Sequence, residues 1–368
     1  MMRLPLKPSS LSLPRRRAPG MRAGFSAAPR RRAFASKPPP PPAPAPFPTV
    51  ETCPSPTCGC APMPPFPDGL EIDRAAPMNG VVAAYAEQVL VCTGRDDWAS
   101  RIEDDEGGDN FAADMKRAFG RGGRYTDPFH NVSVLNASFP SSPSPAPGTG
   151  SAHESGATTS LYLLPSFKYI PSVPRGSEKG IDALAKGHLL PRKLHPHHDG
   201  LSPEEKARLT RDEAGYAGLL GAVEDVEDVV VLICGHGGRD ARCGVLGPVL
   251  RDEFEKVLAS TGHAVRTGAR SAGRSSSPDD GDGRVGARVG LISHIGGHKL
   301  AGNAIIYVPP GLRMESGAVH PLAGHGIWYG RVEPRHVDGI VRETVLKGNV
   351  VKDLLRGGID PDRRILRL

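Results

Sequence analysis

The sequence predicts an α/β protein made of two successive halves, and three observations carry that expectation. Gln88-Val-Leu-Val-Cys92 is an apolar run that stops at Thr93-Gly94 and is followed by a long polar and apolar mixture, which is the order of strand, turn and helix. The pattern starts again at Asp225: Val226 to Ile233 is a β-branched run of the kind buried on both faces of a sheet, and apolar residues then recur at helical spacing. Both runs end on a cysteine with an Arg-Asp pair shortly after, Cys92-Thr-Gly-Arg95-Asp96 and Cys234-Gly-His-Gly-Gly-Arg239-Asp240, a faint internal echo of two related halves. A chain of 368 residues has room for two such units beside an unstructured arm. The expected organisation is an arm at 1–37, a Pro-rich linker at 38–68, a degenerate N-terminal α/β domain at 69–220 and a C-terminal domain at 221–368.

The arm holds no Asp or Glu and ten basic residues, Arg3 through Lys37. With Arg, Ser and Ala abundant, it has the composition of a mitochondrial transit peptide, and Arg32-Ala33-Phe34-Ala35-Ser36 has the look of a processing site. Pro38 to Pro48 is extended and belongs to neither helix nor sheet. In the first half, Gln88 to Cys92 is a strand, Asp96 to Gly120 a helix with polar interruptions, Asn131 to Phe139 a strand, and Ser160 to Ile170 a further strand beyond a low-complexity insertion at 141–159. Ser202-Pro-Glu-Glu205 opens a helix, because the Ser hydroxyl and the Glu carboxylate can satisfy its first free amides. In the second half, Val226 to Ile233 leads into a helix that runs to about Ser260, then a flexible insertion at 262–284, strands at Ala287–Ser293, Asn303–Val308 and Gly326–Val332, and a closing helix at Pro334–Lys347. That order is compatible with a thioredoxin-like domain.

Charge excludes some functions. The formal net charge is +6, but the arm carries +10, so the remainder has 36 basic and 40 acidic groups and leaves no electrostatic footprint for nucleic acid. No apolar run reaches the roughly 18 residues of a membrane span. Six cysteines, Cys53, Cys58, Cys60, Cys92, Cys234 and Cys243, are too few and too unevenly spaced for a disulfide scaffold, which turns attention to metal and thiol chemistry.

Four residues in the second half stand together at strand ends amid glycines: Cys234 and Cys243, and His294 and His298 in His-Ile-Gly-Gly-His. Thiolates and imidazoles are ligands for zinc, iron and iron–sulfur groups. Structural zinc favours cysteines two to four residues apart. Eight intervening residues suit a wider group such as a [2Fe–2S] rhomb, with two cysteines on one iron and two histidines on the other. Zinc, and two buried thiols beside two unrelated histidines, remain alternatives on spacing alone. His236 and the Arg239, Asp240, Arg242 group are expected to brace the loop rather than react. Cys53-Pro-Ser-Pro-Thr-Cys58-Gly-Cys60 reads as exposed linker thiols, with a metal site or a redox-active thiol pair as the alternatives, His195, His197 and His198 as solvated loop residues, and Asn131 and Asn136 match glycosylation acceptors that a mitochondrial route would leave unused.

Cys-x8-Cys around Gly-His-Gly-Gly-Arg-Asp-Ala-Arg, followed by His294-x-Gly-Gly-His298-Lys-x-Ala-Gly-Asn303, resembles the sucrase/ferredoxin-like family of thioredoxin-like [2Fe–2S] proteins, and Val91-Cys-Thr-Gly-Arg-Asp-Asp-Trp98 extends the resemblance more loosely to the first half. The resemblance implies a C-terminal thioredoxin-like ferredoxin domain, preceded by a degenerate α/β domain itself open to a thioredoxin-like reading. It also implies a [2Fe–2S] cluster on Cys234, Cys243, His294 and His298. The family's sucrase label finds no support, since no paired carboxylates for glycoside hydrolysis stand at strand ends. The expected protein carries single electrons in the mitochondrial matrix or intermembrane space, with unidentified redox donor and acceptor proteins and the iron–sulfur assembly machinery as partners, and no nucleic acid or membrane span. Two other readings are a thiol-based redox enzyme or regulator using Cys53, Cys58, Cys60 or Cys92, with the cluster structural or a sensor, and a zinc-stabilised binding module.

Overall fold

The structure is a computed structural model that describes residues 45–143, 158–270 and 284–368. The transit-like arm, residues 38–44 and the centres of both insertions lie outside the described residues.

Chain order sets out short strands with helices between them: β1 (Thr49–Val50), β2 (Glu87–Cys92), α1 (Phe111–Phe119), β3 (Val132–Ala137), β4 (Thr158–Leu164), β5 (Lys168–Pro174), α2 (Glu178–Leu184), α3 (Pro203–Leu209) and β6 (Glu224–Asp225). The second half continues with β7 (Val229–Cys234), α4 (Ala241–Ser260), β8 (Ala264–Val265), β9 (Gly286–Ile292), β10 (Ala304–Tyr307), β11 (Gly326–Tyr329), α5 (Pro334–Ile340), β12 (Val350–Val351), β13 (Leu355–Ile359) and β14 (Ile365–Leu366).

One mixed sheet runs β14-β13-β11-β10-β7-β9-β3-β2-β4-β5-β6, with β8 also on β9. Each half uses the same pairing. β2 and β3 are parallel across α1, with β4 antiparallel on the other side of β2 and β5 beyond it. β7 and β9 are parallel across α4, with β10 and then β11 antiparallel on the other side of β7. This is the strand order of a thioredoxin-like unit, present twice, and the halves meet where Ala137 of β3 pairs antiparallel with Ile292 of β9.

Alternation along the strands divides the core into three parts. Val229, Val231 and Ile233 face α4 and pack on Leu246, Leu250 and Phe254. Val89 and Val91 face α1 and α2, against Phe111, Met115 and Leu184. The intervening positions, Leu90 and Cys92 from one half and Val230 and Leu232 from the other, enter a single shared core with Tyr162, Tyr169, Ile305, Tyr307 and Trp328. A buried polar contact ties this core across the halves: the Tyr85 hydroxyl lies 2.6 Å from that of Tyr307 and accepts from Trp328 Nε1 at 3.0 Å. Such groups stay buried only when paired.

Several expected boundaries move. The helix expected over Asp96–Gly120 is a short 3-10 turn at Ile102–Gly108 and then α1, because Glu106, Gly107 and Gly108 are left-handed and Asn110 starts a new helix by accepting from Ala113 N. The strand expected over Ser160–Ile170 is the hairpin β4–β5, turned at Pro165, Ser166 and Phe167. The Pro-rich stretch is not a free linker throughout: β1 pairs parallel with β12, and Thr57 N and Oγ1 both donate to Asp338 Oδ2, at 2.9 and 3.1 Å. The capping box at Ser202 and Glu205 forms as expected. Beyond the closing helix the sequence reading placed nothing, whereas β13 is a fully buried strand. Among the described residues no helix is long and apolar enough to cross a membrane.

Candidate metal centre

β7 and β9 are adjacent and parallel, with Cys234 in register with Ile292. Their C-terminal ends therefore deliver Cys234 and, two residues past Ile292, His294 to one place. The loop after Cys234 returns at once into α4, whose first turn carries Cys243. Close approach of loop and helix depends on glycine: a Cβ on Gly244 would lie 2.6 Å from Gly237 Cα, and one on Gly247 2.6 Å from Gly235 Cα. Asp240 starts α4, with Oδ1 accepting from Arg242 N at 3.1 Å, and Arg242 pairs back to it at 2.9 Å while donating to Glu71 O at 2.8 Å. Hydrogen bonding from Arg242 holds the Asp240 carboxyl below its usual range. Asp240 and Arg242 thus brace the loop, and Arg239 reaches Ser100 Oγ.

Both thiols are buried, at 1% exposure each, and hydrogen-bonded to one another. The hydrogen bond from Cys243 holds the Cys234 thiol low against its burial, with His294 and the His236 backbone N–H helping, while the same bond and burial push Cys243 up. Of the two, Cys234 is the better thiolate. His294 and His298 are half-buried, with ring centroids 5.5 Å apart. His294 Nδ1 is a buried polar atom with no hydrogen-bond partner among the described residues.

His236 braces the site as expected. Nδ1 accepts from His294 N at 3.0 Å, and Nε2 donates to the carbonyls of Trp98 and Ala99 at 3.1 and 2.9 Å, so neither nitrogen is left to coordinate. The first half supplies part of this frame: Asp97 accepts from Gly238 N at 3.0 Å, and Trp98 meets His236 edge-on at 5.8 Å. Sequence reading quoted the Arg-Asp-Asp-Trp98 motif but assigned it no role. It also missed Arg356, a lone cation in the Leu355–Ile359 strand.

The remaining candidates lie elsewhere. Cys92 is buried in the shared core, and burial raises its thiol. Cys53 is half-buried, donates to His336 O at 3.4 Å, and is pushed up to about 12 by burial and by Asp353, Glu343 and Asp338. Cys58 is exposed and Cys60 half-buried. His198, expected in solvent, is a correction: it is buried, with Nε2 on Asp127 Oδ1 at 2.9 Å, while His195 stacks on Phe129. Asn136 is buried within β3 and closed to modification.

Among the described residues no three His, Cys, Asp or Glu donors converge as the ligands of one metal ion. A [2Fe–2S] rhomb asks for something else, two protein donors on each iron. The donor set fits that pairwise demand: two thiols in contact, two imidazoles side by side, His294 bridging them to Cys234, and an unpartnered buried nitrogen.

Two thioredoxin-like units in one sheet, with a Cys and His site at the strand ends of the second, define the class: the chain belongs to the sucrase/ferredoxin-like family, whose model matches residues 78–357. Among curated relatives it is similar to altered inheritance of mitochondria protein 32 of Debaryomyces hansenii, at 28% identity over 84% of this chain and 96% of the relative. The proteins of that name in Meyerozyma guilliermondii and Clavispora lusitaniae are 30% and 40% identical, over 54% and 35% of this chain and 57% and 34% of theirs. No solved structure matches.

Proposed function

We propose that this chain is a mitochondrial redox protein that carries single electrons on one [2Fe–2S] cluster held by Cys234, Cys243, His294 and His298. The observation that carries the reading is pairwise: β7 and β9 end side by side, which sets Cys234 against His294, while Cys243 in the first turn of α4 lies against Cys234 and the ring of His298 lies 5.5 Å from that of His294. The mitochondrial part rests on the basic, acid-free arm and on the names of the relatives. When bound, the cluster supplies a one-electron couple, and imidazole in place of thiolate makes its reduction easier than in an all-cysteine ferredoxin. The chain's own residues keep the thiols from water, start α4 two residues before Cys243 through Asp240, and fix the His294 backbone through His236. His294 also lines a cavity of about 440 Å³ shared with Arg101, Met115, Phe119 and Arg239, which is where an electron would enter or leave toward a partner. Donor and acceptor proteins and the iron–sulfur assembly machinery are the partners this reading requires. High thiol pKa values at Cys53 and Cys92 weigh against disulfide exchange at those two positions.

The test is an absorption spectrum of aerobically purified protein with iron, sulfide and zinc analysis. About two irons and two sulfides per chain are expected. Stoichiometric zinc without iron would sink the reading.

A further inference from the structure

Arg356 is 2% exposed and lies under the loop that joins the two histidines. Its Nη1 donates to Asn303 Oδ1 at 2.7 Å and to Gly296 O at 3.3 Å, and its Nε and Nη2 donate to Val81 O at 3.2 and 2.7 Å. Asn303 Nδ2 in turn holds Gly297 O at 3.0 Å. Gly297 is left-handed at φ +70°, and a Cβ there would lie 2.8 Å from Arg356 Nη2, so the loop rests directly on the guanidinium. The guanidinium also sits over the Trp328 ring, 5.6 Å from its centroid.

Every hydrogen bond named here goes to a neutral oxygen, and among the described residues no carboxylate pairs with Arg356. Lone buried charges are strongly disfavoured unless something compensates them. Burial lowers Arg356 to about 10, and the groups acting against that loss are Cys234 and Cys243. The side chain is therefore charged at neutral pH, with its guanidinium against Gly296 and Gly297 between the two histidines.

We propose that Arg356 is the fixed counter-charge of the Cys234, Cys243, His294 and His298 site, biasing a bound cluster toward its reduced state while supporting the histidine loop. This rests on the cluster reading above. An oxidised cluster with two thiolates and two neutral imidazoles is formally uncharged, and adding one electron makes it an anion. A guanidinium held in a low-dielectric surrounding stabilises that anion and leaves the neutral state almost untouched. Lysine at 356 would retain the charge and lose the planar fork, whereas glutamine would retain hydrogen bonding and lose the charge.

The experiment uses the full chain with Arg356→Gln and Arg356→Lys, each assayed for iron and sulfide and titrated to its midpoint potential. At a fixed ambient potential, Arg356→Gln should lower the reduced-to-oxidised ratio at least tenfold, about 59 mV for a one-electron couple. Arg356→Lys should stay within about threefold of the unaltered protein, roughly half that shift on a logarithmic scale. A cluster retained by the lysine variant and lost by the glutamine variant also supports the charge requirement. An unchanged potential in Arg356→Gln overturns the proposal and leaves the cluster reading standing, and so does loss of the cluster from both variants, which would make the fork rather than the charge the requirement. Absence of iron from the unaltered protein removes the cluster reading and this proposal together.

Discussion

Cys92 and Cys234 occupy the same place in the two halves, each the last residue of a first strand, paired across a parallel ladder with Ala137 and Ile292. Their chemistry differs because of what stands opposite. Cys234 meets a second thiol and an imidazole, while Cys92 enters the shared core beside Tyr162 and Phe139. Cys92→Ala should therefore leave iron content unchanged and cost about 1–2 kcal/mol in urea unfolding, as expected for trimming a small buried side chain. Cys234→Ala should remove the iron, since a lost thiolate leaves one iron open. Equal iron loss from both variants would contradict this division. Replacing His294 and His298 together with cysteine should lower the midpoint potential by roughly hundreds of millivolts, toward all-thiolate ferredoxins. A potential unchanged by that double replacement would mean that the histidines are not ligands. Cys234, Cys243, His294 and His298 stood out in the sequence, because cysteine and histidine beside glycine at strand ends make a local pattern, while the role given them came from the family resemblance. Arg356 was not, since a single arginine in an apolar strand looks the same whether it pairs with a carboxylate or with the site.

α4 shows how an element serves the site. Its apolar positions marked it in the sequence, and Asp240 and Gly244 fix how it begins. Gly244→Ala puts a methyl 2.6 Å from Gly237 Cα, so the helix and the ligand loop must separate. The expected cost is about 1–3 kcal/mol, with reduced iron occupancy. Gly311→Ala, where an added Cβ meets nothing within 4 Å, should stay within about 0.5 kcal/mol and retain its iron. Iron analysis and denaturant midpoints on the two variants decide it: normal iron in Gly244→Ala would show that this close approach is not needed. Pattern could not find β1, β12 or β14, since two residues are too short to show alternation. Their pairing comes from partners about 300 positions away in the case of β1 and β12.

In the whole molecule the two halves share a core, so the second half alone exposes Val230, Leu232, Ile305, Tyr307 and Trp328. Residues 221–368 expressed alone should lack a cooperative thermal transition, whereas 45–368 should melt in one. A cooperative, cluster-bearing 221–368 fragment would disprove this dependence. Acid stability is also a property of the whole. Burial lowers the pKa of His130, His188, His263, His320 and His336, so each binds a proton more readily when unfolded. Stability is then full above the ordinary histidine value of about 6.5 and falls as pH drops below it toward the native values. Urea midpoints of the Cys234→Ala protein, in which cluster loss plays no part, should be lower at about pH 5.5 than at about pH 7.5, and an equal or higher midpoint would refute the assignment.

The repeat of strand, cysteine and helix, the α/β class and the Cys and His pairs set among glycines were readable from residue order, because each depends on neighbours within a turn or a strand. Docking of the two halves was not. Leu90 and Leu232 alternate with residues facing the helices, and alternation says that a side chain is buried without saying against which partner. The tertiary structure decided that Asp97 and Trp98 of one half buttress the ligand loop of the other, that residues 49–57 strap onto the C-terminal region, and that Arg356 lies beneath the histidine loop. Each of these contacts joins residues roughly 60 to 300 positions apart, brought together by packing in a shared core, and local patterning carries no record of such distances.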